Sequence, residues 1–386
     1  MIFVINELPD QYLAVIHRVD QVRAQLQYAI QVPRRWVGVL RRSTFARAIQ
    51  GSNSIEGYNV TLEDAVAAVE RQAPIDTESE AWLAITGYRE AMTYILQLAD
   101  DPYFTYSEGL IRSLHYMMLN YNLEKHPGRW RPGPVFVRRE PTGEIVYEGP
   151  DVGLVPILMR ELIDSLNARN DLPALVRAAM AHLNLVMIHP FSDGNGRMGR
   201  ALQTLVLARG GILSPHFCSI EEYLGRNTQE YYSVLADVGR GNWHPERDPL
   251  LWLRFCLTAH YRQAETLLRR TKETERLWSH LEVEIANRKL PERVIFALAD
   301  AAFGWRIYNS TYRSAAEISE NLASRDLKLL VDQELLRPVG ERRGRSYAAT
   351  PVLRAMREQA REPKHVTDPF AEVVQEYLPG FAPGSM

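Results

Sequence analysis

The chain has 386 residues, of which 46% are hydrophobic and 24% are charged, and its formal net charge at pH 7 is −2. This composition is ordinary for a globular protein and allows a core of normal size, so neither disulfides nor metals are needed to hold the chain together. A net charge so close to zero gives no global attraction to nucleic acid. Any such contact therefore requires a local basic patch.

The cysteines and the first residues predict a cytoplasmic location. Cys218 and Cys256 lie in apolar stretches of sequence, as thiols packed in a reducing compartment do. The first seven residues lack the basic segment and apolar run of a secretory signal. Apolar stretches are interrupted well before the roughly 18 residues of a membrane span. We therefore expect no membrane association.

Apolar residues spaced by three and four predict several amphipathic helices in an N-terminal region, residues 1–100. One of these helices is predicted over residues 43–55, and Gly57 is in position to end it. The run Asp100-Asp101-Pro102 closes the region, because proline does not continue a helix. A further helix is predicted over residues 107–120.

Residues 127–153 are rich in proline and glycine and predict a change to extended structure. Residues 135–137 and 145–147 flank Pro141-Thr142-Gly143, a pattern typical of a short hairpin. Helical periodicity returns over 154–188, from a motif at 189–200 to about 210, and over 228–236 and 250–285. We group residues 101–280 as one helical core that carries this hairpin.

Residues 285–355 predict a separate unit, a winged helix-turn-helix domain. Its helices are predicted over 291–302, 314–321 and 323–335. Strands at 336–339 and 346–348 are predicted to flank a basic turn. Residues 356–386 hold several prolines and glycines and are predicted to be a partly ordered tail.

The segment 189–200, His-Pro-Phe-Ser-Asp-Gly-Asn-Gly-Arg-Met-Gly-Arg, predicts a tight loop that opens a helix. Pro190 and Gly194 oppose continuation of the preceding helix. After Gly196 the sequence favours helix again. The backbone N–H groups of such a loop point into one concavity, which is an anion site.

Side chains in this segment add chemistry that a connecting loop does not need. Arg197 and Arg200 lie on one face of the first helical turn and suit a polyphosphate. Asp193 is a hard oxygen ligand, as Mg²⁺ requires when it bridges phosphates. His189 can act as a general base near neutral pH. Together they indicate phosphoryl or nucleotidyl transfer.

The segment resembles the signature of the Fic family, His-Pro-Phe-x-Asp/Glu-Gly-Asn-Gly-Arg-x-x-Arg, at every specified position. The resemblance extends over about residues 40–260 and includes His115, Gly128-Arg129-Trp130-Arg131 and Asn227. It implies a mainly α Fic-type helical bundle with a short β-hairpin flap. It also implies an enzyme that transfers AMP from Mg-ATP to a Ser, Thr or Tyr hydroxyl of a target protein. The flap, residues 133–148, would hold the target by strand pairing.

The resemblance implies a role for each residue of the motif. His189 would deprotonate the target hydroxyl, and Asp193 would hold Mg²⁺. Arg200 would bind the γ-phosphate. The other phosphate-binding residues that it implies are Gly194, Asn195 (by backbone and side chain), Gly196 and Arg197. Tyr231 and Tyr232 are candidates for the adenine pocket, although paired tyrosines are at least as common in a helical core.

A second segment, Ser52-Asn53-Ser54-Ile55-Glu56-Gly57, resembles the inhibitory helix of the same family, [Ser/Thr]-x-x-x-Glu-[Gly/Asn]. Read alone, Glu56 is a solvated carboxylate at a helix end. Beside the motif, it implies an ion pair with Arg200 that occupies the group needed by the γ-phosphate. ATP would then bind in a non-productive pose, so we expect autoinhibition by Glu56.

The predicted winged helix leaves its partner open. Arg342, Arg343 and Arg345 on the wing tip suit phosphate backbone. Acidic residues on the candidate recognition helix oppose that reading; they are Asp326, Asp332 and Glu334. Protein docking or homodimerisation is therefore favoured over DNA binding through residues 314–345.

The sequence leaves two alternative activities open. The same site can run in reverse and remove AMP from a target, with Glu56 orienting a water. Alternatively, the protein is a DNA-binding regulator whose Fic domain senses nucleotide. ATP is the default donor, although the base pocket lies outside the motif and another nucleotide can serve.

Overall fold

The computed structural model describes residues 1–31, 35–74, 79–139, 142–169, 171–211, 215–340 and 345–377. The chain divides into two compact units. The first comprises Met1–Tyr28, Thr44–Glu265 and Val366–Met386, and the second Ala29–Ser43 and Thr266–His365.

Helices make up most of the described residues, as predicted. In chain order they are α1 (Asp10–Gln31), α2 (Val37–Ile55), α3 (Leu62–Val69), α4 (Ser79–Leu98), α5 (Glu108–Leu119), α6 (Val155–Asn167), α7 (Ala174–Ile188), α8 (Asn195–Arg209), α9 (Pro215–Cys218), α10 (Glu221–Arg226), α11 (Thr228–Gly239), α12 (Leu250–Asn287), α13 (Ile295–Ala302), α14 (Asn309–Ala315), α15 (Glu320–Asp332), α16 (Pro351–Ala360) and α17 (Pro369–Tyr377). The strands are β1 (Phe136–Arg139), β2 (Glu144–Glu148), β3 (Gly241–Asn242), β4 (Leu336–Val339) and β5 (Ser346–Ala349).

The pair α7 and α8 forms the centre of the first unit. All residues of α7 from 178 to 188 are buried, which is typical of a helix enclosed on every side. Gly199 of α8 allows a close approach, because a Cβ there would lie 2.7 Å from Cγ1 of Val186. The loop between these helices, residues 189–194, therefore starts and ends on tightly packed supports.

The predicted hairpin is present, with β1 and β2 antiparallel and a bulge between Val137 and Arg138. Strand β2 also pairs in parallel with β3, so that β1 lies at the edge of the sheet. Tyr147 of β2 anchors the hairpin, because its buried hydroxyl donates a hydrogen bond to the Met187 carbonyl at 2.8 Å. Pro141 of the predicted turn lies outside the described residues.

In the second unit, the predicted bounds of two helices were wrong. Helix α14 occupies 309–315 rather than 314–321, and α15 occupies 320–332 rather than 323–335. The reason is capping chemistry: the Thr311 hydroxyl accepts the Tyr308 N–H at 3.2 Å at the start of α14. The hydroxyl of Ser319 accepts the Leu322 N–H and starts α15. The winged-helix assignment itself stays a prediction.

The prediction that Asp326 places negative charge on the surface of α15 was wrong. This residue is buried, and its carboxylate accepts hydrogen bonds from Arg293 Nε at 2.7 Å and Nη2 at 2.9 Å. The Tyr312 hydroxyl donates a third at 2.8 Å. The charge of Asp326 is thus paired with that of Arg293 inside the unit. Asp332 and Glu334 are exposed. Of the predicted wing-tip arginines, Arg345 is exposed, and Arg342 and Arg343 lie outside the described residues.

The range 356–386, predicted as a tail, contains the end of α16 and all of α17. Phe370 of α17 is buried, and its ring packs edge-to-face on Tyr12 with centroids 5.1 Å apart. Residues 378–386 lie outside the described residues. Cys218 and Cys256 are buried thiols without a disulfide, as predicted. Across the described ranges, no helix is both long enough and apolar enough to cross a membrane.

Candidate active site

His189 follows the last residue of α7 in a left-handed conformation, with φ 52°. Its Nδ1 lies 3.0 Å from the Val186 carbonyl oxygen. Because a carbonyl only accepts, Nδ1 carries the ring proton and Nε2 keeps a lone pair. Burial lowers the pKa of His189, which favours this neutral ring. The imidazole is therefore prepared to accept a proton at Nε2.

The loop after His189 rests on a layer of aromatic rings. Phe191 is buried and stacks on His115 with ring centroids 3.7 Å apart, and Trp130 packs beside it at 5.0 Å. His115 also bonds the loop itself, with Nε2 donating to the Asp193 carbonyl at 2.9 Å. Its Nδ1 accepts the Gly128 N–H at 2.8 Å. Burial lowers the pKa of His115 to about 4, so that these roles are fixed at neutral pH.

Asn195 closes the loop into a ring of hydrogen bonds. Its Oδ1 accepts the Phe191 N–H at 2.9 Å, and its Nδ2 donates to the Phe191 carbonyl at 2.9 Å. The side chain is buried and both of its polar ends are engaged. The sequence implied that this side chain assists phosphate binding, but in this structure it shapes the loop instead.

Glycine is required where the loop enters α8. Gly194 has φ +77°, and a Cβ there would lie 2.6 Å from Cδ1 of Leu119. At Gly196, a Cβ would overlap the Glu56 carboxylate. The first main-chain bond of α8 is from the Met198 N–H to the Gly194 carbonyl, so the N–H groups of residues 195–197 have no acceptor within the helix. They form the predicted anion nest at the positive end of α8.

Arg197 and Arg200 lie beside this nest, and both are almost fully buried. Within the described part of the chain, Nε and Nη1 of Arg197 and Nη1 of Arg200 have no hydrogen-bond partner. Buried donors are rarely left unpaired. These three nitrogens therefore fit an anionic ligand that supplies the acceptors, as a polyphosphate does.

Glu56 pairs with Arg200, as the sequence implied. Arg200 Nη2 lies 2.6 Å from Glu56 Oε1. The same guanidinium donates from Nε to the Ser52 hydroxyl at 2.8 Å and from Nη2 to the Ser52 carbonyl at 2.9 Å. Burial alone would lower the pKa of Arg200, but the Glu56 carboxylate raises it overall. Arg200 is thus a fixed cation already held by the end of α2.

Asp193 is the one carboxylate of the loop, and it is engaged by a residue that the motif does not contain. Lys125 Nζ lies 2.9 Å from Asp193 Oδ2, and the Gly194 N–H donates to Oδ1 at 2.7 Å. Burial would raise the pKa of Asp193, but Lys125, Arg197 and the Gly194 N–H lower it overall. The carboxylate is therefore charged.

The described residues contain no cluster of three metal-binding side chains. Mg²⁺ commonly takes only one or two carboxylates together with substrate phosphates. Asp193 therefore fits as a single protein ligand.

The two candidate adenine residues differ in position. Tyr231 is buried, and its hydroxyl lies 3.0 Å from His182 Nε2. Since its ring is enclosed by Trp252 and Phe255, Tyr231 belongs to the core. Tyr232 is half-exposed and donates to the Ile55 carbonyl at 3.2 Å, next to Glu56. An adenine contact stays a prediction for Tyr232.

Three residues that shape this site, Arg131, Lys125 and Tyr58, have no role predicted from the sequence. Arg131 holds the loop, with its N–H donating to the Pro190 carbonyl at 2.8 Å and its Nε to the His189 carbonyl at 2.9 Å. Lys125 and Tyr58 meet beside Asp193 at 2.9 Å from each other. Arg131 lies in a run that the family resemblance already included. Lys125 and Tyr58 carry no sequence signal, because they are 67 residues apart in the chain and no shared pattern joins them.

Comparison with known proteins finds a family match in the central part of the chain. Residues 105–207 match the Fic/DOC family. The chain is 33% identical over 212 residues, or 53% of its length, to the protein adenylyltransferase Fic of Drosophila mojavensis. It is 32% identical over 249 residues, or 63% of its length, to that of Drosophila willistoni. The chain spans only 39% and 46% of these relatives.

Solved structures share the fold. A Fic family protein from Desulfovibrio desulfuricans G20 superposes with a TM-score of 0.57 at 23% identity, covering 89% of this chain and 97% of that chain. Fic-1 from C. elegans gives 0.53 at 21% identity, covering 67% and 72%. Residues 105–207 therefore match the Fic/DOC family, and the mostly helical fold is the one that these solved Fic structures share.

Proposed function

We propose that this protein transfers AMP from ATP to a hydroxyl of a target protein or of itself, and that Glu56 restrains the reaction. The observation that carries the proposal is the arrangement at residues 189–200. A histidine whose Nε2 keeps a lone pair precedes an anion nest, and two buried arginines follow it, with donors that have no partner among the described residues. Relatives that share this region are named protein adenylyltransferases.

His189 is the proposed general base. Its Nε2 would take the proton of a Ser, Thr or Tyr hydroxyl as that oxygen attacks the α-phosphorus of ATP, and pyrophosphate would leave. The Val186 carbonyl keeps the other ring nitrogen protonated, so the ring remains in the tautomer that can accept. Burial, which lowers the pKa of His189, keeps this tautomer populated at neutral pH.

The nest and the arginines would bind the phosphates. The N–H groups at the start of α8 would face the α- and β-phosphates, Arg197 would contact them, and Arg200 would take the γ-phosphate. Mg²⁺, held by Asp193, would neutralise phosphate charge and favour departure of pyrophosphate. The side chains of Asn195 and His115 would act on this chemistry only by holding the loop in shape.

The target would bind along the hairpin. Strand β1 is at the edge of its sheet, so its outer backbone groups are in position to pair with an extended segment. Phe136 and Ile145 of the hairpin are exposed and offer apolar contacts to such a segment. The flap, residues 133–148, would thereby present the target hydroxyl to His189.

Glu56 opposes this reaction by occupying Arg200. The carboxylate lies 2.6 Å from the guanidinium, so the γ-phosphate must displace it or bind elsewhere. Close packing holds the inhibitory helix in place, since a Cβ on Gly51 would lie 2.5 Å from the Glu221 carbonyl oxygen. The coupling free energy between two sites is typically about 1–3 kcal/mol, which corresponds to a change in affinity of roughly 5–150-fold.

A comparison of four proteins tests the proposal: wild type, Glu56→Gly, Glu56→Gly with His189→Ala, and Glu230→Gly as a control at an exposed glutamate of α11. Each is incubated with Mg-ATP, and covalent AMP is measured by intact mass. We expect Glu56→Gly to raise self-modification roughly 10–100-fold. The double variant should abolish this modification, and the control should match wild type. Equal modification in wild type and Glu56→Gly would refute the role of Glu56.

A further inference from the structure

The side chains of Lys125, Tyr58 and Tyr121 meet beside the Asp193 carboxylate. Lys125 lies in a short 3₁₀-helix, Leu123–Lys125, whose first turn is capped by Asn122. Its ammonium is 2.9 Å from Asp193 Oδ2 and 2.9 Å from the Tyr58 hydroxyl. The hydroxyl of Tyr121 donates to the same Tyr58 oxygen at 3.3 Å. The ammonium thus sits where a cation bound to Asp193 would sit.

Tyr58 connects this cluster to the inhibitory segment. Helix α2 ends at Ile55, and Gly57 turns the chain in a left-handed conformation with φ +82°. The Tyr58 N–H then bonds back to the Asn53 carbonyl at 3.1 Å. This turn directs Glu56 to Arg200 and Tyr58 to Lys125. The Tyr58 ring also lies under Arg197, with the guanidinium carbon 5.2 Å from its centroid.

We propose that Lys125 is an internal cation that takes the place of Mg²⁺ on Asp193, and that Tyr58 holds it there, so that the inhibitory segment restrains the metal half of the site as well as the phosphate half. This inference rests on the proposed function for the role of Asp193. It extends the restraint from one residue, Glu56, to a second residue two positions later in the chain.

The charges in the cluster agree with this arrangement. A lysine ammonium is protonated at neutral pH, and this one lies 2.9 Å from both the Asp193 carboxylate and the Tyr58 hydroxyl. Glu80 lies 3.8 Å from the ammonium and offers it a second carboxylate after displacement. Mg²⁺ must therefore compete with a permanent cation, and Lys125 has a partner to move to.

The test measures Mn²⁺ binding to the full chain without nucleotide, by the loss of the free-ion signal in electron paramagnetic resonance. Mn²⁺ serves as the probe because it takes the same oxygen ligands as Mg²⁺. Binding that disappears in Asp193→Asn defines the site. We compare wild type with Lys125→Met, Tyr58→Phe and the double variant, and use Lys272→Met, at an exposed lysine of α12, as the control.

We expect Lys125→Met to tighten Asp193-dependent Mn²⁺ binding by about two- to fivefold, which is the range for a partly exposed ion pair. Tyr58→Phe removes no charge, so tighter Mn²⁺ binding in this variant would show that Tyr58 acts by holding Lys125 in place. The double variant should equal Lys125→Met, because both changes act through one contact. Lys272→Met should match wild type.

Three results would overturn the inference. They are unchanged or weaker Mn²⁺ binding in Lys125→Met, no gain in Tyr58→Phe, and no Asp193-dependent binding in any variant. Thermal unfolding of each variant checks that the fold is retained. Since the assay contains no ATP, its failure is separate from a failure of AMP transfer.

Discussion

Asn195 provides a quantitative test of how the loop is held. In Asn195→Ala, the Phe191 N–H and carbonyl each lose a partner at 2.9 Å inside the core. A buried polar group left unpaired costs about 1–3 kcal/mol. Alanine favours helix, and the loop can relax around it. The cost of the unpaired Phe191 N–H and the cost of the unpaired Phe191 carbonyl therefore both fall towards the lower end of this range. We expect the free energy of unfolding of the first unit to fall by about 2–4 kcal/mol.

Asn167 offers a matched control for this prediction. Its side chain makes the same pair of bonds to one backbone, accepting the Tyr106 N–H at 3.0 Å and donating to the Tyr106 carbonyl at 2.9 Å. The residue is exposed, so that water replaces the lost partners in Asn167→Ala, and the cost should be about 0.5–1 kcal/mol. Urea unfolding gives the stability, and a fluorescent ATP analogue gives nucleotide affinity.

The two variants together separate a structural role of Asn195 from a phosphate-binding one. A large loss of stability in Asn195→Ala, with Asn167→Ala near wild type in both assays, supports the loop role. If Asn195→Ala loses less than about 1 kcal/mol while nucleotide affinity collapses, the side chain contacts phosphate and the reasoning is wrong.

Two further predictions concern packing and pH. Gly199→Ala should destabilise the protein by about 1–3 kcal/mol in thermal unfolding, because its Cβ would press on Val186 and the ring of His182. Gly38→Ala is the control, since its Cβ meets nothing within 4 Å, and it should be neutral or slightly stabilising. Equal effects of the two substitutions would refute the packing argument. Burial raises the pKa of Glu221 to about 7 from 4.5, so its folded state binds the proton more tightly than the unfolded state and stability falls as pH rises between those values. Glu221→Gln should therefore stabilise the protein at pH 8 by up to about 3 kcal/mol and by much less at pH 5, whereas a gain that grows towards acid pH would contradict this sign.

The local chemistry of the loop could be predicted from its sequence. Proline and glycine fix where α7 ends and α8 begins, and the spacing of Arg197 and Arg200 places both beside the nest. The pair between Glu56 and Arg200 was also predicted, because a family pattern joins these two distant segments. Only the 2.6 Å contact shows that both residues meet in the free chain.

Contacts between distant segments without a shared pattern could not be predicted. Lys125 is one lysine in a short 3₁₀-helix, and nothing in its neighbours indicates that the chain folds its ammonium onto Asp193. Asp326 was predicted to be exposed, because a carboxylate on a helix is usually solvated. It is buried instead, where it accepts hydrogen bonds from Arg293 and Tyr312. The bounds of α14 and α15 depend on which hydroxyl caps first, and helix propensity alone does not decide between neighbouring serines.

The most direct test of AMP transfer follows the two ends of ATP separately. Glu56→Gly protein is incubated with ATP labelled at the α-phosphate or, in parallel, at the γ-phosphate, and protein-bound label is measured with and without His189→Ala. The proposed chemistry predicts that only the α-label becomes protein-bound and that His189→Ala removes it. Transfer of the γ-label would mean a kinase-like reaction and would contradict the account.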